Sequence, residues 1–177
     1  MKGTKAAIRY AKSLLDLALE KGNLDSVEGD MNFFSQSVEA NPELGRLLAS
    51  PIIVGSKKIE VIKSVFGQFE KVTMSFFELV TKNGREAILP EIARTFNQEV
   101  KAHKGIVPVE LVTAVALDDA TRKTILAKVD DYVKGTLEVK ETIDPALIGG
   151  FIVKMGDKQI DASVSSQLNN LKQRLTH

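Results

Sequence analysis

Apolar residues recur at helical spacing over the first part of the chain, and the rhythm then shortens to alternation. Between Lys5 and Glu20, Ala7, Tyr10, Ala11, Leu14, Leu17 and Ala18 fall on one helical stripe, with Ile8, Leu15 and Leu19 beside it. That apolar face is wider than one packed side of a helix needs. Gly22-Asn23 stops the helix. Leu24, Val27, Met31, Phe34 and Val38 predict a second helix, closed by Asn41-Pro42. Pro42 to Ala49 suits a third, with proline in its first turn. After the break at Ser50-Pro51, Ser56 is a candidate cap for a fourth helix, with Ile59, Ile62, Val65 and Phe66 turned inward. A fifth runs from about Phe69 to Lys82 through Val72, Phe76, Leu79 and Val80. Asn83-Gly84 is a turn, and Arg85 to Lys104 gives a sixth on Ile88, Ile92, Phe96 and Val100, with Pro90 about one turn in. Short loops between six helices predict a bundle.

Beyond Gly105 the residue types change. Ile106 to Ala116 is rich in Val, Leu and Thr and reads as a strand, with Pro108 favouring an edge or a strand start. Asp118 is a candidate cap for a helix to Lys134, with Ile125, Val129, Tyr132 and Val133 inward. Leu137, Val139 and Ile143 suggest a second strand, and Phe151, Val153 and Met155 a third. Gly156-Asp157 then turns into Lys158 to Ile160 as a hairpin. From Ser163, Val164, Leu168, Leu171 and Leu175 share a helical stripe. The pattern predicts an α+β chain, with a six-helix bundle over 1–104 and a small C-terminal α/β module over 105–177.

Composition removes several function classes. Lys and Arg total 24 against 23 Asp and Glu, a formal charge of +1, so no basic face favours nucleic acid. Cysteine is absent and only His103 and His177 carry imidazole, so thiolate chemistry and a zinc site are not expected. No apolar run approaches the roughly 20 residues of a spanning helix, and the start shows no signal-peptide core. A cytoplasmic protein is expected, with any membrane association made through partners. Gly149-Gly150 lacks the Gly-Lys-Ser/Thr ending of a phosphate loop, which favours a tight approach of backbone to backbone. Asp144, Asp157 and Asp161 are more simply turn, hairpin and helix-start residues than an acid/base set or a cation site.

Four stretches carry a family resemblance. They are Ala7-Ile8-Arg9-Tyr10-Ala11-Lys12-Ser13-Leu14; Leu47-Leu48-Ala49-Ser50-Pro51 followed by Lys58; and Lys82-Asn83-Gly84-Arg85 with Leu89-Pro90 and Phe96. The fourth runs from Ile143-Asp144-Pro145 through Gly149-Gly150-Phe151 and Met155-Gly156-Asp157 to Ile160-Asp161-Ala162-Ser163-Val164. In this order the chain resembles the ATP synthase delta family, the oligomycin-sensitivity subunit of mitochondria. Ala162 departs from it, because many members have Gly there.

The resemblance implies a non-catalytic stator subunit of a proton-translocating ATP synthase, without cofactor or metal. It implies that the helical domain grips N-terminal segments of alpha subunits and that the C-terminal module holds the end of the b-subunit stalk. It also implies a peripheral place on the cytoplasmic face of the bacterial inner membrane. The expected alpha site is a groove between the first and fifth helices: Ala7, Tyr10, Ala11, Leu14, Phe76, Leu79, Val80 and Asn83. Helical spacing alone leaves Tyr10 and Leu14 open between core and groove. Ala11→Asp is expected to weaken alpha binding with the fold intact. Asp144, Gly149, Gly150, Gly156, Asp157 and Asp161 form the family motif of the C-terminal module. The alternative is an RNA-binding or translation-associated module, for which the low aromatic content of 6% is a poor fit.

Overall fold

The computed structural model describes residues 4–115, 119–130, 135–156 and 158–175. It is a mixed α+β chain that divides into two compact units, Met1–Lys101 and Ala102–His177.

The first unit is helical. α1 (Lys5–Lys21) starts where the Thr4 hydroxyl accepts the Ala7 N–H at 3.3 Å, and ends at Gly22, whose φ of 68° is a left-handed cap. α2 spans Leu24–Ala40 and α3 spans Pro42–Ala49 with Pro42 at its first position. α4 (Gly55–Val65), α5 (Lys71–Lys82) and α6 (Leu89–His103) follow, with a single 3-10 turn at Glu86–Ile88 before α6. The side chains of Ala7, Ala11, Leu14, Phe34, Phe66, Phe77, Ile92 and Phe96 are sealed in one core. Phe34 anchors it, with ring centroids 4.8 Å from Phe77 and 5.4 Å from Phe66.

Several local expectations are corrected. Ser56 lies inside α4 and does not cap it; the cap position is Val54, without a side-chain bond. Val65, expected inward, is more than half exposed. Pro90 is the second residue of α6, because the chain from Glu86 first makes the tighter 3-10 turn. α5 starts later than Phe69, and its N-terminus is held from another helix. Asp30 Oδ2 of α2 accepts the Glu70 N–H at 2.8 Å and the Thr73 hydroxyl at 2.7 Å. This carboxylate does the work of an N-cap from 40 residues away in sequence.

A buried ion pair ties the short elements together. Lys58, with its side chain only 2% exposed, donates from Nζ to the Leu48 carbonyl at 2.9 Å and to Glu86 Oε1 at 2.7 Å. It thereby satisfies the C-terminus of α3 and fixes the 3-10 turn. Burial pushes the Glu86 carboxyl up, but the Lys58 hydrogen bond, a bond from its own backbone and the Lys58 charge outweigh that and hold it below the ordinary carboxylate range.

The second unit is built on a sheet of β1 (Ile106–Thr113), β2 (Thr136–Ile143), β3 (Phe151–Met155) and β4 (Lys158–Asp161), in the order β2-β1-β3-β4. β1 and β2 are parallel, while β1–β3 and β3–β4 are antiparallel. α7 (Asp119–Asp130) is the crossover between the parallel pair, and α8 (Val164–Leu175) follows β4. Val109, Leu111 and Val153 of the sheet pack with Ile125 and Val129 of α7. β1 is a central strand, yet Pro108 is tolerated because β3 pairs only from Glu110 onward. Ile143, counted as a strand residue, is exposed. Asp118, Tyr132 and Val133 lie outside the described residues, as does Asp157.

Candidate partner-binding site

α1 and α5 run antiparallel with a groove between them. At one end the Tyr10 ring meets Phe76 edge-on, with centroids 6.2 Å apart. The Tyr10 hydroxyl accepts from Asn83 Nδ2 at 3.2 Å, and the Arg85 guanidinium lies over the Tyr10 ring, 5.7 Å from its centroid. Toward the other end, Leu17 and Lys21 of α1 face Lys71, Val72, Ser75, Phe76 and Leu79 of α5 across a cavity of about 220 Å³. Leu79 is 52% exposed on its rim.

The expected contact residues divide into two groups. Ala7, Ala11, Leu14 and Val80 are fully enclosed, and Phe76 is nearly so; they build the floor and the core beneath it. Tyr10, Leu79 and Asn83 reach the surface. Ala11→Asp would therefore set a charge in the sealed core, and the expectation that it spares the fold is withdrawn. Leu17, Lys21, Lys71, Val72 and Ser75 also line the groove and were not singled out. Leu17 could have been found, since it follows Tyr10 by two helical turns on the same stripe. The lysines carried no apolar signal.

The motif of the second unit is local architecture. Asp144 Oδ1 accepts the Ala146 N–H at 2.9 Å, an Asx turn after β2. Gly149 O accepts the Val164 N–H at 3.0 Å, and the Ala162 N–H donates to Phe151 O at 3.0 Å. At Gly150, φ is 81° and a Cβ would stand 2.3 Å from the Ala162 carbonyl oxygen, so only glycine fits where these segments meet. Gly156, with φ of 57°, turns the β3–β4 hairpin. Ser163 caps α8, its hydroxyl accepting the Ser166 N–H at 3.3 Å, and Asp161 braces that cap: Oδ1 accepts the Ser163 N–H at 2.9 Å and Oδ2 the Ser166 hydroxyl at 2.7 Å. Its hydrogen bonds with Ser163, then Ser166, hold its carboxyl below the ordinary range. Beside this junction Ile148, Val164 and Leu168 are exposed. Asp144 and Asp161 are each engaged in their own turn, and among the described residues no His, Cys, Asp and Glu group suited to a metal is found. A helical unit with an open groove, followed by an α+β unit with bare apolar side chains, has the make-up of an adaptor.

Comparison with known proteins identifies the adaptor class. Residues 6–175 match the profile of the ATP synthase delta (OSCP) subunit family. ATP synthase subunit delta of Flavobacterium johnsoniae is 36% identical over 177 residues, covering 100% of both chains. That of Cytophaga hutchinsonii is 39% identical over 180 residues, covering 99% of this chain and 97% of the relative. The fold matches a chain of the Toxoplasma gondii mitochondrial ATP synthase hexamer with a TM-score of 0.73 at 20% identity, covering 97% of each. The chain belongs to the ATP synthase delta (OSCP) subunit family. It is thus a non-catalytic, structural subunit of the peripheral stalk of an ATP synthase, a membrane-bound complex serving ATP synthesis and ion transport. No helix among the described residues is long and apolar enough to cross a membrane. The comparisons give no support to an RNA-binding role.

Proposed function

We propose that this subunit is the joint between head and stalk, with one surface for each. The helical unit takes an N-terminal amphipathic segment of an alpha subunit into the α1/α5 groove. The α+β unit receives the end of the b-subunit stalk at Ile148, Val164 and Leu168. The complex then holds the subunit at the cytoplasmic face of the inner membrane. The observation that carries this reading is the groove itself: Leu79 stands half-exposed on its rim, directly beside fully enclosed Val80. A partner helix with apolar residues at i, i+3, i+4 and i+7 would cover it. The joint requires a slow off-rate rather than chemistry; nanomolar affinity corresponds to about 12 kcal/mol.

Pull-down from solubilised membranes with tagged Leu79→Asp and Ile148→Asp variants tests the division. Leu79→Asp is expected to lose alpha and Ile148→Asp to lose b, with each unit's circular dichroism unchanged. Retention of both partners by both variants would sink the assignment.

A further inference from the structure

Asn83-Gly84 is the one place in the sequence where glycine follows asparagine. Both residues are exposed, at the C-terminal end of α5. An asparagine side chain is chemically labile. Its main route of loss is attack by the next residue's backbone nitrogen, and a glycine there has no Cβ to hinder that attack. At Gly84 a Cβ would meet nothing within 4 Å, so the space around the turn is open as well.

Hydrogen bonds hold the pair closed. The Gly84 N–H donates to the Thr81 carbonyl at 2.9 Å, and the Arg85 N–H to that of Val80 at 3.1 Å. Asn83, with φ of −81° and ψ of 4°, donates from its own N–H to the Leu79 carbonyl at 3.1 Å. All of these lie within the end of α5. The Asn83 side chain is tied instead to another helix, donating from Nδ2 to the Tyr10 hydroxyl of α1 at 3.2 Å. Bonds at an exposed helix end open locally at little cost. Each opening frees the Gly84 nitrogen and the Asn83 amide together.

We propose that Asn83 is a site of slow deamidation and that Tyr10 is the positioning residue that restrains it. In the opened turn the Gly84 nitrogen loses its proton to hydroxide and attacks the Asn83 side-chain carbonyl carbon. The bond from that carbon to Nδ2 breaks, and ammonia leaves with a proton from water. The five-membered succinimide that remains is opened by water at either carbonyl, giving aspartate or isoaspartate. Nothing is oxidised or reduced, and water is the one co-reactant. The product places a carboxylate, and in isoaspartate an extra main-chain methylene, beside Tyr10 and Arg85 at the end of the α1/α5 groove. The chemistry stands whether or not a partner occupies that groove.

Mass spectrometry on the folded full chain, aged in mildly alkaline buffer and cleaved after glutamate, tests this on the fragment Leu79–Glu86. The fragment is expected to convert from amide to acid, with aspartate and isoaspartate forms separable by chromatography. Tyr10→Phe keeps the ring against Phe76 and beneath Arg85 but loses the hydroxyl. Loss of that one bond should quicken conversion about two- to fivefold. Asn97 of α6, remote from the bond, should not convert faster in the same variant, which separates release of Asn83 from general loosening of the helical unit. Asn83→Gln, which cannot close the five-membered ring, should abolish the change. No acid form of the fragment in the folded chain, or an equal rate with and without the Tyr10 hydroxyl, overturns the proposal.

Discussion

The helical unit and the α+β unit place their apolar side chains differently. In the first, Phe34, Phe66 and Phe77 are sealed together, and the candidate surface is a cleft whose floor is that same core. In the second, the sealed side chains described are aliphatic, Val109, Leu111, Ile125, Val129 and Val153, with Phe151 only at the margin. Its exposed Ile148 and Leu168 stand on a loop and a helix beside a glycine-dependent junction. One unit shapes its surface by packing, and the other by backbone hydrogen bonds and a close approach of chain segments.

The contrast can be broken first in the helical unit. Lys58→Met leaves the Glu86 carboxylate enclosed without its partner and the end of α3 unsatisfied. A loss of about 3 kcal/mol is expected in urea unfolding, confined to the helical unit by residue-resolved hydrogen exchange. The double variant Lys58→Met/Glu86→Leu should recover most of it, and a double variant as weak as the single would show that Lys58 acts through packing alone.

A smaller effect belongs to the second unit. Gly150→Ala places a Cβ against the Ala162 carbonyl at a left-handed backbone position. About 2 kcal/mol of local protection is expected to vanish. It should disappear from the Ala162 and Val164 amides, which bond to Phe151 and Gly149 across the junction. Unchanged exchange there would mean that this contact does not organise the loop.

The smallest effect is in acid. Glu86 and Asp161 both have carboxyl groups held below their ordinary values of 4.5 and 3.8. Each contributes stability that is complete above the unfolded value and is lost as pH falls through the folded one. Acid titration should therefore weaken both units below about pH 4. Glu86→Gln is expected to flatten this dependence more than Asp161→Asn, because Glu86 is enclosed and Asp161 lies open to solvent. Equal flattening would remove the distinction between the two units.

Helix ends marked by local chemistry were legible in the sequence, as at Gly22 and Pro42. The start of α5 was not, because its cap is Asp30, brought there by tertiary packing. The same limit applied to the groove. Leu79 and Val80 are adjacent apolar residues, and periodicity put both on one face, yet only Leu79 emerges at the rim. Gly149-Gly150 was readable as a close approach because a missing side chain is itself a spatial demand, and Gly150 sits against Ala162. Lysines lining an apolar cleft carry no periodic mark, so Lys21 and Lys71 emerged only with the fold.

The strand order has a consequence for the protein before it meets its neighbours. Among the described residues β2 and β4 are the outer strands, and each leaves one row of amide and carbonyl groups without a described strand alongside it. β4 is four residues long and begins with Lys158, while β2 carries Glu138, Lys140 and Glu141. Brevity on one margin and charge on the other make poor templates for a foreign strand, so lateral growth into aggregates is discouraged while the subunit awaits incorporation.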